Sequence, residues 1–185
     1  MTPNSMREYL AVHAPELKVV ELTEAHTTDY ISREWKVLPA QVAKTLTLRV
    51  ADRALIVVTC GDARLDNRKV KDALGGKGRM MPGSEASEIT GHPVGAITPL
   101  CLARPLPVFF DIQLKRFGEV VTAGGSTHAA IRIPPDRFIK LARGTWHAGP
   151  YFVEPWRDFY NLELSDTNTA DYTVSRLNEQ VTFGT

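Results

Sequence analysis

Apolar positions follow two rhythms along the chain. Met6 to His13 has helical spacing, with Leu10 and Val12 apolar, Asn4 or Ser5 as the cap, and Pro15 ending the helix. Leu17 to Leu22 (LKVVEL) reads as a strand, and His26 to Trp35 as a second helix with Thr27 or Thr28 near its start. Gln41 to Val50 alternates with β-branched residues, and Leu55 to Thr59 is a short apolar run. Only ADRA joins them, so they predict a hairpin. Asn67 to Leu74 is helical, with Gly75 and Gly76 supplying a C-cap, and Glu85 to Thr90 is another short helix. The loop GHPVGAITPL follows; Pro107 to Asp111 then reads as a strand, and Val120 and Val121 open another. PPDRFIKLA predicts a short helix with Pro134 or Pro135 at its start. Strands and helices mix without a regular βαβ beat. The expected class is α+β, with a mixed or antiparallel sheet.

After Ala142 the pattern changes. The segment from Gly144 onward is rich in aromatic and turn residues, including Trp146, Tyr151, Phe152, Trp156, Phe159, Tyr160 and Tyr172. This sets a boundary near Leu141 to Gly144, dividing the chain into residues 1–142 and a β-type extension over 143–185. The length, 185 residues with 43% hydrophobic and 23% charged, suits one globular domain with an appendage.

Charge and cysteine usage narrow the partners. A net charge of +1 gives no general attraction to polyanions, so a nucleic acid needs a local basic patch. Arg64, Arg68, Lys69, Lys71, Lys77 and Arg79 cluster in one stretch, although Asp62, Asp66 and Asp72 interleave with them as on a solvated helix face. Cys60 and Cys101 are too few for a disulfide framework. No apolar run approaches a membrane span and the N-terminus has no apolar leader core, so the expected compartment is the cytoplasm.

Catalytic signatures are scarce. The five histidines, His13, His26, His92, His128 and His147, are scattered singly, without HExxH or CxxC, so no metal or cofactor is expected. AGGST lacks the spacing of a dinucleotide loop, and no GxSxG elbow or P-loop is present. Cys60 as a nucleophile would lack a base beside it.

Four segments in register carry a resemblance: VAKTLTL, VVTCGDARLDNRKVK, EITGHPVGAITPL, and PVFFD followed by VVTAGGSTHAAIRIPP. Together, over roughly Met6 to Ala142, they resemble the YbaK/prolyl-tRNA-synthetase-associated domain. That family includes free-standing aminoacyl-tRNA deacylases and the editing domain inserted in bacterial prolyl-tRNA synthetase. The resemblance implies a mixed, barrel-like sheet with surrounding helices, and hydrolysis of the ester of a mischarged tRNA. Such an ester is already activated. The site needs only to position a water, stabilise an oxyanion and select a small side chain. Alanine is the implied misacylated residue on the proline tRNA, with cysteine or serine as alternatives.

The resemblance also implies roles for particular residues. Lys44 would hold the terminal phosphate or the substrate carbonyl, and Gly95 would offer backbone N–H groups to the ester oxygen. Thr45, beside Lys44, faces the other side of the strand but keeps its backbone available. Gly125 would allow close backbone approach, and His128 would border the amino-acid pocket or bond the vicinal hydroxyl, unless it is a structural hydrogen-bond partner. The segment from His26 to Val37 would supply part of the pocket wall. Arg68, Lys69 and Lys71 would meet tRNA phosphates. Asp111 would orient a loop or serve structure alone.

Two departures from the family pattern stand out. Bulky Tyr30 and Trp35 replace small residues, and Lys36 replaces a glycine, which is expected to reshape or narrow the pocket; Cys101 falls where a Phe-Gly pair is common. The tail resembles the C-terminal strands of ureidoglycolate lyase, over too short a stretch to form that site. It is expected to pack on the editing domain or to join two subunits into a homodimer. The alternative function is a non-catalytic module on the same fold, binding tRNA, a nucleotide or a protein.

Overall fold

The computed structural model describes residues 3–25 and 27–142. His26, the 143–185 extension and the homodimer built through it lie outside the described residues.

The elements run α1 (Pro3–His13), β1 (Val19–Glu21), α2 (Thr28–Trp35), a 3-10 turn (Pro39–Gln41), β2 (Ala43–Val50), β3 (Arg53–Cys60), α3 (Asn67–Leu74), β4 (Gly78–Met80), α4 (Gly83–Thr90), β5 (Val108–Phe110), a second 3-10 turn (Ile112–Arg116), β6 (Val120–Ala123), β7 (Ala129–Ile133) and α5 (Pro135–Leu141). The class is α+β. One sheet has the order β4-β2-β3-β5, antiparallel except for the β3–β5 pair. The other, β1-β7-β6, is antiparallel. The expected barrel-like closure is not formed among the described residues. The two sheets meet through a single parallel bridge, Val42 to Val121. The strands of the second sheet, at three to five residues, are too short to wrap round the first.

The β2–β3 hairpin organises the core because its alternation feeds two layers. Leu46, Leu48 and Val50 stand opposite Val57, Leu55 and Arg53, and pack with Val70 of α3. On the reverse face Ala43, Ile56, Val58 and Cys60 join the main core with Leu10, Leu100, Ile131 and Phe138. Asp66 caps α3 by accepting from the Arg68 and Lys69 N–H groups, and Gly75 closes it at φ 79°.

Some boundaries shift from the expected ones. Helix α2 starts at Thr28, because Thr27 takes the cap and accepts from the Tyr30 N–H at 3.1 Å. The short β4 and the two 3-10 turns are additions, since three-residue pairings leave too weak a period to read. Among the described residues no helix is long and apolar enough to cross a membrane.

Candidate active site

A gap along one edge of β2 forms the site. That edge pairs with β4 only over Leu48 to Val50, and the Met81 N–H extends the contact to the Thr47 carbonyl at 3.0 Å. At the other end the edge touches β6 at Val42. Among the described residues, 43–46 therefore have no strand partner on this side. A backbone edge left open in this way offers hydrogen-bonding groups to a ligand. Over the gap lies a cleft of about 340 Å³, walled by Thr27 and Thr28 of the α2 entry, Met81, Gly83 and Ala86 around α4, Val94 and Gly95 of the following loop, and Ala123 at the end of β6.

Lys44 and Thr45 both line this cleft, from opposite faces of β2. The Lys44 ammonium donates to the Gly61 carbonyl at 3.2 Å and to the Ala63 carbonyl. An ammonium has three protons, so one remains for a ligand. Gly61 is held tightly: a Cβ there would collide with the Pro39 carbonyl oxygen and lie 2.7 Å from that of Val42. The loop that anchors Lys44 is thus fixed by close backbone packing. The Thr45 hydroxyl is buried and has no hydrogen-bond partner among the described residues.

The glycine loop is pinned at its base and open at its tip. The His92 Nε2–H donates to the Leu100 carbonyl at 2.9 Å, and Thr98 meets Thr122 of β6 at 3.3 Å. The bond to Leu100 fixes the tautomer and leaves Nδ1 as a buried acceptor without a partner among the described residues. Burial holds the His92 imidazole below its ordinary pKa of 6.5. At the tip, Gly95 has φ 84°, a left-handed conformation natural to glycine, and its N–H makes no hydrogen bond among the described residues.

The remaining sequence candidates lie outside this wall. Gly125 is buried at φ 93° in the β6–β7 turn, two residues beyond Ala123. His128 is exposed on the same turn, with Nδ1 3.0 Å from the Thr127 hydroxyl and its carbonyl accepting from the Leu22 N–H. The turn approaches the glycine loop through Thr127, which would lie 3.5 Å from a Cβ built on Gly95. Asp111 accepts from the Thr59 hydroxyl at 3.0 Å and caps the second 3-10 turn at Gln113. The Cys60 thiol is buried, and burial followed by the Asp111 charge pushes its pKa up, away from a reactive thiolate.

Bulk in α2 does not enter the cleft. Tyr30 is buried in a small second core with Ile31 and Val121, and its hydroxyl meets Thr23 at 2.9 Å. Trp35 packs on that core beneath the Arg132 guanidinium, 4.8 Å from its ring centre. From this segment Thr27 and Thr28 face the cleft instead. Lys36 and Cys101 adopt left-handed φ values of 52° and 54°.

The basic residues divide. Lys69 of α3 lines a groove against β5 and the second 3-10 turn that shares no wall with the cleft, and Arg68 and Lys71 belong to the same helix. A second cleft does adjoin the first, sharing Met80 and Met81, and its charged lining is Arg49, Lys77 and Arg79 with Asp52 and Glu85. Arg49 there is paired with Glu85. Met81, Ala86 and Val94 had no signal in the sequence, because their place in the wall depends on how α4 docks against β2.

Comparison with known proteins agrees with this architecture. The model of the aminoacyl-tRNA editing domain matches residues 23–141. The chain is 34% identical over 137 residues to the uncharacterized protein YwhH of Bacillus subtilis (strain 168), covering 73% of this chain and 87% of that one. It is 26% identical over 123 residues to the proline–tRNA ligase of Bacillus licheniformis, covering 66% of this chain and only 20% of the ligase. A crystal structure described as a candidate trans-editing enzyme for prolyl tRNA synthetase superposes with a TM-score of 0.71 at 28% identity, over 77% of this chain and 92% of that one. The family match ends at residue 141, and these comparisons give the expected resemblance of the tail to ureidoglycolate lyase no support. On the open β2 edge, the cleft above it and these matches, the chain belongs to the aminoacyl-tRNA editing domain family.

Proposed function

We propose that this chain is a free-standing aminoacyl-tRNA deacylase that hydrolyses the ester of a mischarged tRNA, with alanine on the proline tRNA as the first substrate and cysteine or serine as alternatives. The observation that supports it most is the unpaired stretch of β2 under a cleft of about 340 Å³, with a cation at one end and a free backbone N–H at its rim. The free proton of Lys44 meets the terminal phosphate or the substrate carbonyl. The Gly95 N–H receives the oxyanion as the carbonyl carbon becomes tetrahedral. Water is the nucleophile, aided by the 2′-hydroxyl of the tRNA itself, and the released ribose oxygen takes the proton. A wall of Thr28, Ala86 and Ala123 leaves room for a small side chain, and selection is by size.

The tRNA phosphates run over Arg49, Lys77 and Arg79, whose cleft adjoins the site, rather than over Arg68, Lys69 and Lys71. Removing one such contact lowers the salt dependence of binding by roughly one counterion.

The test offers alanyl-, seryl- and cysteinyl-tRNAPro beside prolyl-tRNAPro at fixed salt. Hydrolysis of one mischarged species, falling about 100-fold or more in Lys44→Ala, is expected from loss of one transition-state contact. Folded protein that hydrolyses none of them, yet binds tRNA in a salt-dependent way, would replace this reading by the binding module.

A further inference from the structure

We propose that Gly61 is a positioning residue for Lys44: it ties both ends of that side chain to one point, and so fixes where the ammonium stands. The inference rests on the deacylase reading and gives a role in it to a residue outside the cleft wall.

Gly61 follows β3 directly, in a turn closed by the Ala63 N–H on the Cys60 carbonyl at 3.0 Å. Gly75, Gly91, Gly95 and Gly125 have left-handed φ values, and Gly61 does not. Its backbone would therefore accept a side chain, but the space around it would not. A Cβ there would collide with the Pro39 carbonyl oxygen, lie 2.7 Å from that of Val42 and 3.1 Å from Thr28 Cγ2. The two oxygens belong to the 3-10 turn that leads into β2, where the Val42 N–H donates to the Pro39 carbonyl at 3.1 Å. Hydrogen-bonded backbone cannot swing aside as the end of a long side chain can. Close approach of two backbone segments is what requires glycine here.

That approach joins the two ends of Lys44. At the backbone end, Val42 stands two residues before Lys44, and Ala43 opposes Cys60 in register. At the far end, the ammonium donates to the Gly61 carbonyl at 3.2 Å and to the Ala63 carbonyl. A glycine that served packing alone would have no bond to the cation. Gly61 packs against the entry of the strand that carries the lysine and also accepts from its ammonium. A lysine stem is long and flexible, and loose it would spread its charge over many positions. Two fixed acceptors restrict it and leave the third proton with one direction. The clamp stands directly behind the site, since Thr28, the third neighbour of Gly61, itself lines the cleft.

The experiment uses the full chain with ¹³C-labelled lysine, as wild type, Gly61→Ala and Val70→Ala. Val70 lies in the α3 core, so its variant loses burial away from the cleft and controls for stability. The Lys44 resonances are assigned through Lys44→Ala. In the wild type the two Lys44 Hε protons are expected to be inequivalent, as on a held side chain, and in Gly61→Ala to merge. Hydrolysis of mischarged tRNA, read as kcat/KM, should fall roughly 100-fold in Gly61→Ala, the cost of a misplacement of about 1 Å. Val70→Ala should keep both the inequivalence and the rate. Should Gly61→Ala fail to fold, Ala63→Gly loosens the same turn without crowding it, and both readouts should move in the same direction.

Averaged Hε protons in the wild type would overturn the clamp. So would an equal loss of rate in Val70→Ala. Folded Gly61→Ala that hydrolyses at the wild-type rate would overturn the clamp and leave the deacylase standing. A held Lys44 released by Gly61→Ala, with no hydrolysis of any mischarged tRNA by the wild type, would keep the clamp and remove the deacylase.

Discussion

The two long edges of the β2–β3 hairpin make opposite use of their polar groups. Along β3, beside β5 and α3, polar atoms find protein partners. Thr59 donates to Asp111, Asp111 caps the second 3-10 turn, and Asp66 caps α3. On the cleft side the corresponding groups are left open. The Thr45 hydroxyl has no partner, the edge of residues 43–46 is unpaired, and the Gly95 N–H makes no bond among the described residues. Unmet hydrogen-bonding capacity near the interior costs stability. Among the described residues three buried side-chain atoms lack a partner, Thr45 Oγ1, Ser32 Oγ and His92 Nδ1, and of these Thr45 lines the cleft. Under the proposed function, the paired edge serves folding and the open edge serves chemistry.

The sharpest way to break this comparison is a matched pair of substitutions. Asp111→Ala should cost about 2 kcal/mol, since it removes a cap and strands the Thr59 hydroxyl. Thr45→Val keeps the shape of the side chain and removes a hydroxyl that bonds nothing. It should change stability by less than about 0.5 kcal/mol while lowering deacylation. Urea midpoints and turnover, measured on both variants, decide. A large stability loss in Thr45→Val would mean that its hydroxyl is satisfied in solution, and the contrast between the edges would fail.

A second effect follows from His92 at the base of the glycine loop. Its folded-state pKa is depressed by burial, whereas in the unfolded chain it titrates near 6.5. As pH falls below that value the unfolded state gains a proton first. Stability should therefore decline, levelling only below the folded-state pKa. In His92→Gln, which retains a donor for the Leu100 carbonyl, the difference between stabilities at pH 7.5 and pH 5 should shrink. An unchanged difference would assign the acid sensitivity elsewhere.

The smallest effect concerns backbone strain. Lys36 is exposed and sits at φ 52° as the C-cap of α2. Lys36→Gly should stabilise the protein by about 0.5 kcal/mol, the relief of the left-handed penalty outweighing the extra freedom of glycine in the unfolded chain. Thermal denaturation measures it. A loss of stability would show that the lysine stem packs usefully against α2.

Much of the fold was legible because its signals are local. The alternation in 41–50 and 55–59 gave the hairpin, and the glycine pair at 75–76 gave the end of α3. The family was legible from four segments in register, none of which is specific alone. The site was legible only in part. Lys44, Thr45 and Gly95 do meet in one cleft. His128 and Gly125 lie on a neighbouring turn, and Arg68, Lys69 and Lys71 lie on a helix that shares no wall with it. The bulk of Tyr30 and Trp35 was readable as a change, but its direction was not. A helix can turn a large residue toward either of two cores, and here it turns them away from the cleft.

The sequence by itself determined the α+β class, the principal helices and strands, and the family, because periodicity, caps and motif order are written over a few neighbouring residues. Only the tertiary structure decided that β4 stops at Met80, that β2 is left unpaired over residues 43–46, and that Met80 and Val94 share the rim of one cleft. Strand edges and cleft walls are set by which distant segments pack together. That packing depends on summed burial across the whole core rather than on the residues at the edge.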